Sequence, residues 1–325
     1  MSNEKDYILE VNHLKKYFPI KGGFFGGVTG EVKAVDDVSF KIERGTTMGL
    51  VGESGCGKST TGRTILRLIE KTEGDVIFNG KEVYDYSKKE LRDLRTKMQI
   101  VFQDPYSSLS PRLPIGEIIG EAVREHGLVP KEEYDEYISK VMAECGLQEH
   151  HKDRYPHEFS GGQRQRVCIA RALALNPDFI VCDEPVSALD VSIQAQILNL
   201  MEDIQDREGL TYIFITHDLS VVNHFADDIA VMYMGRMVEK ASAEELFENP
   251  LHPYTQALLS AIPVPDIHAE MNRIVLKGEV TSPIEPKPIC RFAARCPYAS
   301  EKCMRGEPEL AEIKTEHWVA CYEHE

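Results

Sequence analysis

Three features of this chain predict an α/β fold built around a phosphate-binding loop, interrupted by a helical insert and followed by a small cysteine-rich extension. The first is Gly52-Glu53-Ser54-Gly55-Cys56-Gly57-Lys58-Ser59, a G-x-x-x-x-G-K-[ST] loop. Its glycines let successive backbone N–H groups turn onto phosphate oxygens, and Lys58 adds a point charge at the outer phosphates. The second is an alternation of short apolar runs with helical patterns, which favours a largely parallel sheet with flanking helices. The third is the crowding of Cys290, Cys296, Cys303 and Cys321 into the last 36 residues.

Tyr7 to Val11 and Val32 to Ile42 read as strands, the second with Val32, Ala34, Val38, Phe40 and Ile42 at even positions. Thr46 to Val51 is a short buried strand leading into the loop. The helix after it, Ser59 to Ile69, places Ile65, Leu66 and Ile69 on one face. That strand, loop and helix context aims a helix N-terminus at the phosphates, with Ser59 as the expected Mg²⁺ ligand. Gly74 to Asn79 and Met98 to Phe102 are strand-like, and the stretch from Asp104 to about Ala174 turns helical, most clearly at Ile115–Val123 and Tyr134–Cys145.

Strand patterns return at Phe179–Cys182, Thr211–Ile215 and Ile229–Tyr233, with a helix from Ile193 to about Asp206 between the first two. Ser242-Ala243-Glu244-Glu245 is a capping-box start to a short helix. From Pro263 onward, Pro265, Pro283, Pro286 and Pro288 predict an extended crossing that includes a strand-like Arg273 to Lys277. No internal repeat is visible, so the chain carries one phosphate loop.

At 325 residues the chain exceeds one comfortable core, which predicts a large domain plus an appended piece. The expected division is residues 1–240, with a helical subdomain at about 104–174, and an extension at 241–325. With 42% hydrophobic and 28% charged residues the composition is that of an ordinary globular protein, and a net charge of −16 argues against a nucleic-acid surface. No apolar run approaches the roughly 20 residues of a membrane helix. The polar start Met1-Ser2-Asn3-Glu4-Lys5-Asp6 lacks the apolar core of a secretory signal, so the cytosol is the expected location.

Phe179-Ile180-Val181-Cys182-Asp183-Glu184 is an apolar strand that delivers two carboxylates to its C-terminal end, where α/β sheets bind ligands. Asp183 is then placed to hold Mg²⁺ through water and Glu184 to polarise an attacking water. Ser160-Gly161-Gly162-Gln163 opens a helix running to Ala174, and its N-terminus is a second anion site. Cys56, Cys145, Cys168 and Cys182 are scattered and read as small buried hydrophobes. The tail cysteines, spaced C-x5-C-x6-C-x17-C, do not fit paired zinc-ribbon spacing. Four thiolates suit Zn²⁺ or an iron-sulfur cluster, with Arg291, Arg295, Lys302 and Arg305 nearby to offset their charge.

In order along the chain, these motifs resemble those of the ATP-binding cassette ATPases, a P-loop NTPase fold, over residues from about 8 to 240. Gly52–Ser59 matches the phosphate loop, and Gln103, after its strand, matches the switch glutamine. Ser160-Gly161-Gly162-Gln163 matches the signature and Asp183-Glu184 the second nucleotide motif. Ser187-Ala188-Leu189-Asp190 matches the dimer-facing loop, and His217 the switch histidine. Phe159 departs from the leucine that usually opens the signature, a swap between large apolar residues.

The resemblance implies roles for these residues. Tyr17 stacks on adenine, and Gly52, Glu53, Ser54, Gly55, Cys56, Gly57, Lys58, Ser59 and Thr60 cradle the phosphates. Ser59, Gln103 and Asp183 serve Mg²⁺, Glu184 serves water, and His217 holds the γ-phosphate and Glu184 in line. The signature of one cassette then closes on ATP held by another.

His252-Pro253-Tyr254-Thr255 followed by Gln256-Ala257-Leu258-Leu259 resembles the extension of ATPases that power dipeptide and oligopeptide importers. Cys56 in the loop, with Gly62-Arg63 beyond it, resembles their F-type subunit. That implies an unlike second ATPase, two membrane-spanning permease subunits, an extracytoplasmic peptide-binding protein and a peripheral place on the cytoplasmic face of the membrane. Similar tails carry a [4Fe-4S] cluster, which the resemblance favours over Zn²⁺ here, with unliganded cysteines as the third alternative. Relatives that move nickel, or a soluble cassette ATPase without a membrane partner, are the alternatives.

Overall fold

The computed structural model describes residues 5–22, 27–263, 273–278 and 282–324. Met1 to Glu4 and Pro265 lie outside them. In chain order the elements begin with β1 (Tyr7–Gly22), β2 (Gly27–Glu43), β3 (Thr47–Val51), α1 (Lys58–Ile65), β4 (Glu73–Phe78) and β5 (Lys81–Glu82). Next come α2 (Lys88–Lys97), β6 (Met98–Val101), α3 (Pro105–Ser108), α4 (Ile115–His126), α5 (Tyr134–Glu144), α6 (Gly161–Leu173), β7 (Phe179–Asp183), α7 (Val191–Glu208) and β8 (Thr211–Thr216). The chain ends with α8 (Leu219–Phe225), β9 (Asp228–Tyr233), β10 (Arg236–Ser242), α9 (Ala243–Glu248), α10 (Pro253–Ser260), β11 (Ala311–Lys314) and β12 (His317–Val319). None of the described helices is long and apolar enough to cross a membrane.

Two compact units emerge. The first comprises residues 1–6, 43–46 and 85–215. Its strands β6, β7 and β8 pair in parallel, with Met98 opposite Phe179 and Asp183 opposite Ile215. β7 is buried throughout, as a parallel strand covered on both faces must be. The helical insert packs through Ile118, Ile119 and Val123 of α4, Ile138, Val141 and Met142 of α5, and Val167 and Ile169 of α6. Cys145, Cys168 and Cys182 are buried as predicted, and burial pushes the Cys145 thiol up to about 12 and Cys168 to about 11.

The second unit comprises residues 7–42, 47–84 and 216–325. It holds a four-stranded sheet in the order β2-β1-β4-β5, and a parallel β3–β9 pair extended by antiparallel β10, β12 and β11. The antiparallel extension is a departure from the mostly parallel expectation. β9 and β10 are joined at Met234-Gly235, both at positive φ, so they form a hairpin.

Local geometry corrects three further readings. In β2 the even-position alternation holds from Val38 to Ile42, but upstream it is Val35 that is buried, because Asp37 adopts φ 66° and reverses the faces. α1 stops at Ile65 instead of Ile69, since Arg67 turns left-handed at φ 48° and donates to the carbonyls of Val83 and Tyr84. Arg273 to Lys277 forms no strand. The proline-rich stretch instead pairs at Ile284 with Val32, Lys33 N–H donating to Pro283 O at 2.9 Å.

The tail is anchored by a fully buried ion pair, His317 Nε2 to Glu239 Oε1 at 2.8 Å. Glu239 also accepts from the backbone N–H groups of Leu251 and His252. Burial disfavours a charged His317, yet hydrogen bonds to Glu239 and Glu245 outweigh it and hold the imidazole above its ordinary value. A raised histidine stabilises the fold fully below the ordinary value of about 6.5 and loses that contribution as pH rises through the folded value. The melting temperature of the wild type minus that of His317→Gln is therefore expected to shrink between about pH 6 and about pH 9. A difference that stays flat or grows in fluorescence-monitored melts would contradict the protonated pair.

Candidate functional site: the phosphate loop and its partners

Residues 52–57 connect β3 to α1, and at two of the glycines the backbone leaves no room for a side chain. Gly52 (φ 146°) and Gly57 (φ 111°) lie in the region L-residues avoid, and a Cβ on them would sit 2.2 Å from Met232 O and 2.1 Å from Ala34 O. Gly235 N–H also donates to Cys56 O at 2.8 Å, fastening the loop to the β9–β10 hairpin. Gly57 supplies no side-chain cap to α1 and the first turn carries no acidic residue. The first-turn N–H groups and the positive end of the helix dipole are thus suited to an anion.

Lys58 is 4% exposed and folds back over the loop, its Nζ donating to Gly52 O at 2.7 Å and Glu53 O at 3.0 Å. Cys56 is buried beneath it, with Sγ 3.8 Å from Nζ. Ser54 and Gly55 form the exposed lip, and Ser59 and Thr60 are half-buried on the first turn of α1. Tyr17 is half-buried, with the Lys33 ammonium 5.1 Å from its ring centroid and its hydroxyl donating to Asp36. Burial and that hydrogen bond push the phenol well above its ordinary value, so it stays neutral. His217 is exposed just beyond β8, and Asp218 after it caps α8 by accepting from Ser220 N–H.

In the first unit, Asp183 is 2% exposed at the end of β7 and Glu184 follows it at φ 49°. A non-glycine residue held there is a strained position of the kind that collects at functional sites. Its N–H donates to Ile215 O at 2.9 Å, and its Oε2 accepts from Gln103 Nε2 at 2.8 Å. Gln103 is exposed and runs straight into Asp104, which caps α3 by accepting from Tyr106 N–H.

Ser160 caps α6 in a reciprocal box with Gln163, the two bonds measuring 3.3 and 3.0 Å. A Cβ on Gly162 would meet Ile193 Cγ2 at 2.5 Å, so the second signature glycine is required by the close packing of α6 on α7. Phe159 is buried edge-on to His151, filling the leucine role as an apolar plug. Ser187, Ala188 and Asp190 are exposed, and Asp190 caps α7 by accepting from Ile193 N–H at 3.0 Å. Those bonds hold its carboxyl below the usual range.

Cys290, Cys296, Cys303 and Cys321 line one cavity of about 160 Å³ together with His252, Phe292 and Tyr322. Among the described residues, no group of three or more His, Cys, Asp or Glu side chains is placed to hold a metal ion. The expected charge offset does not come from Arg291, Arg295 or Arg305, which pair with Asp36 and Glu307, Glu53, and Glu301. Sequence reasoning did not name Asp36, the partner of the Tyr17 hydroxyl, and did not foresee that Tyr254 and Arg295 bond Glu53. Tyr254 lay within a motif already singled out, but nothing local told that its hydroxyl accepts the Glu53 N–H at 2.9 Å.

Residues 35–187 match the family described as ABC transporter, and residues 238–303 match the oligopeptide/dipeptide transporter C-terminal region. The oligopeptide transport ATP-binding protein AppF of Bacillus subtilis is 52% identical over 98% of this chain and 98% of its own length. The chain belongs to the ATP-binding cassette transporter ATPases. The Bacillus subtilis oligopeptide transport ATP-binding protein OppF is 50% identical over 98% of this ATPase and 97% of its own length.

Among solved structures, cbiO1 from Clostridium perfringens, part of the ABC transporter complex cbiONQ, is 30% identical with a TM-score of 0.65. It covers 75% of this cassette ATPase and 92% of the cbiO1 chain. The ATP-binding cassette MJ0796, solved as a dimer in a post-hydrolysis state with ADP and Pi, is 29% identical with a TM-score of 0.64, over 72% of this chain and 98% of that one.

In this cassette ATPase the contact of Gly57 with Ala34 O has a direct consequence. Gly57→Ala is expected to lower stability by about 1–3 kcal/mol from backbone strain and to abolish the rise in melting temperature that MgATP gives the wild type. Retention of that rise would show that the loop tolerates a Cβ.

Proposed function

We propose that this ATPase powers import of dipeptides or oligopeptides across the cytoplasmic membrane. The observation that carries the reading is similarity to oligopeptide transport ATP-binding proteins over nearly the whole chain, tail included. In this reading residues 1–240 are the nucleotide-binding domain, with a helical subdomain at about 104–174, and 241–325 the transporter-type extension.

Lys58 and the amides of the first turn of α1 hold the phosphates and stabilise charge on the transferring phosphoryl group. Glu184 orients or deprotonates the attacking water, held by Gln103 at 2.8 Å and steadied in line with the γ-phosphate by His217. Ser59, Gln103 and the buried Asp183 would hold Mg²⁺, which neutralises phosphate charge when bound. Carboxylate, amide and hydroxyl oxygens are the donor types that suit this hard cation. Tyr17 stacks on adenine.

Ser160, Gly161, Gly162 and Gln163 act on ATP held by a second, unlike cassette, with Ser187-Ala188-Leu189-Asp190 at that dimer face. The exposed capped end of α6 and the exposed loop before α7 support this assignment. Two permease subunits bind the helical insert, and a peptide-binding protein delivers cargo from outside. The chain is then peripheral on the cytoplasmic face.

Glu184→Gln is expected to keep ATP binding while losing roughly 10²- to 10⁴-fold in turnover, as for other positioned bases. Tagged and isolated with ATP from detergent-solubilised membranes, that variant should carry two membrane-spanning proteins and a second ATPase. Retained turnover would overturn the role of Glu184, and recovery only in soluble complexes would overturn peptide import.

The same reading includes a [4Fe-4S] cluster on Cys290, Cys296, Cys303 and Cys321. In its support, the four cysteines line one cavity of about 160 Å³. When bound, the group would staple a module with little core of its own. Anaerobic purification is expected to yield a visibly coloured protein with about four iron atoms per chain. A colourless, iron-free protein would refute the cluster.

A further inference from the structure

The tail also grips the phosphate loop through contacts that neither the cassette motifs nor the cysteines explain. Arg295 Nη1 donates to Glu53 Oε2 at 2.7 Å and Nη2 to Glu53 Oε1 at 3.0 Å, a two-pronged pairing on the second residue of the loop. The arginine side chain is 9% exposed, and its guanidinium lies 5.8 Å from the Tyr233 ring centroid. Tyr254, fully buried, takes the backbone N–H of the same Glu53, and its ring meets Tyr233 edge-on with centroids 4.8 Å apart. Phe292 closes this aromatic support at 5.3 Å from Tyr233 and 5.5 Å from Tyr254. Glu53 is therefore held by both its amide and its carboxylate, and its own carbonyl receives the Lys58 ammonium.

A carboxylate on a loop that receives a triphosphate is an electrostatic liability. Left unpaired, Glu53 would repel the phosphate oxygens and compete for Lys58. Arg295 cancels that charge, and its planar fork fixes the side chain in a way that a single ammonium would not. Arg291, the other arginine of the segment, makes a parallel connection, donating to Asp36, which accepts from the Tyr17 hydroxyl.

We propose that Arg295 is a positioning residue for ATP, holding the phosphate loop through Glu53 and masking a charge that would oppose the nucleotide. The tail segment 291–296 is then a working part of the ATP site. The inference rests on the ATPase reading above.

The test compares the full-length wild type with Arg295→Gln, Arg295→Lys, Glu53→Gln and the Arg295→Gln/Glu53→Gln double variant, by titration with a fluorescent ATP analogue and by steady-state hydrolysis. Arg295→Gln is expected to weaken binding by roughly tenfold or more and to raise KM by more than it lowers kcat. Arg295→Lys should recover part of the loss, keeping the charge without the fork. The double variant should bind ATP more tightly than Arg295→Gln, because the exposed carboxylate is gone.

Binding by Arg295→Gln within about twofold of wild type would overturn the proposal. So would a loss that Glu53→Gln fails to relieve in the double variant, which would mark Arg295 as a fold support alone. A wild type that binds no ATP would overturn the ATPase reading itself, and this inference with it.

Discussion

The closure of the phosphate loop against its neighbouring backbone is the constraint on which the nucleotide chemistry depends. Gly52 and Gly57 pass so near the carbonyls of Met232 and Ala34 that no Cβ fits, and Cys56 O accepts a further bond from Gly235. The loop thus lies close against β2 and is bonded to the β9–β10 hairpin through the Gly235 N–H. Lys58 lies over the loop, donating to the carbonyls of Gly52 and Glu53. A site prearranged in this way needs little reorganisation when charge develops on a phosphoryl group.

Buried charge in the second unit is organised by pairing. Asp36 meets Arg291, Glu53 meets Arg295 and Glu239 meets His317, so that each carboxylate has a cation brought from the tail. Removing one member of such a pair leaves a charge without compensation, which is costlier than the pair is stabilising. A tail bound in this manner cannot drift from the strands that frame the phosphate loop without exposing several unmatched charges. That physical dependence gives the extension a role in the unit beyond carrying cysteines.

The end of β7 in the first unit shows a different solution. Glu184 is held in a left-handed conformation by the β7–β8 ladder and by Gln103, so its orientation comes from backbone bonds and one side-chain amide. The loops before α6 and α7 are shaped by helix caps at Ser160 and Asp190, with Gly162 allowing α6 to lie against Ile193. Caps of this kind leave the outer surfaces of both loops exposed.

The sequence alone determined the elements whose physics is local. Glycine spacing and Lys58 identify the phosphate loop, apolar periodicity locates β7, β8 and the insert helices, and Ser160 and Ser242 mark helix starts through short-range capping. Readings that depended on distant partners could not be made that way. The end of α1 at Ile65 is decided by Arg67 reaching carbonyls 16 and 17 residues away, and the face reversal in β2 by one left-handed residue at Asp37. The grip of Arg295 and Tyr254 on Glu53 spans more than 200 residues, with separations of 242 and 201. Only the folded chain brings those groups together, because ion pairing and hydrogen bonding are set by distance in space and leave no periodic trace along the sequence.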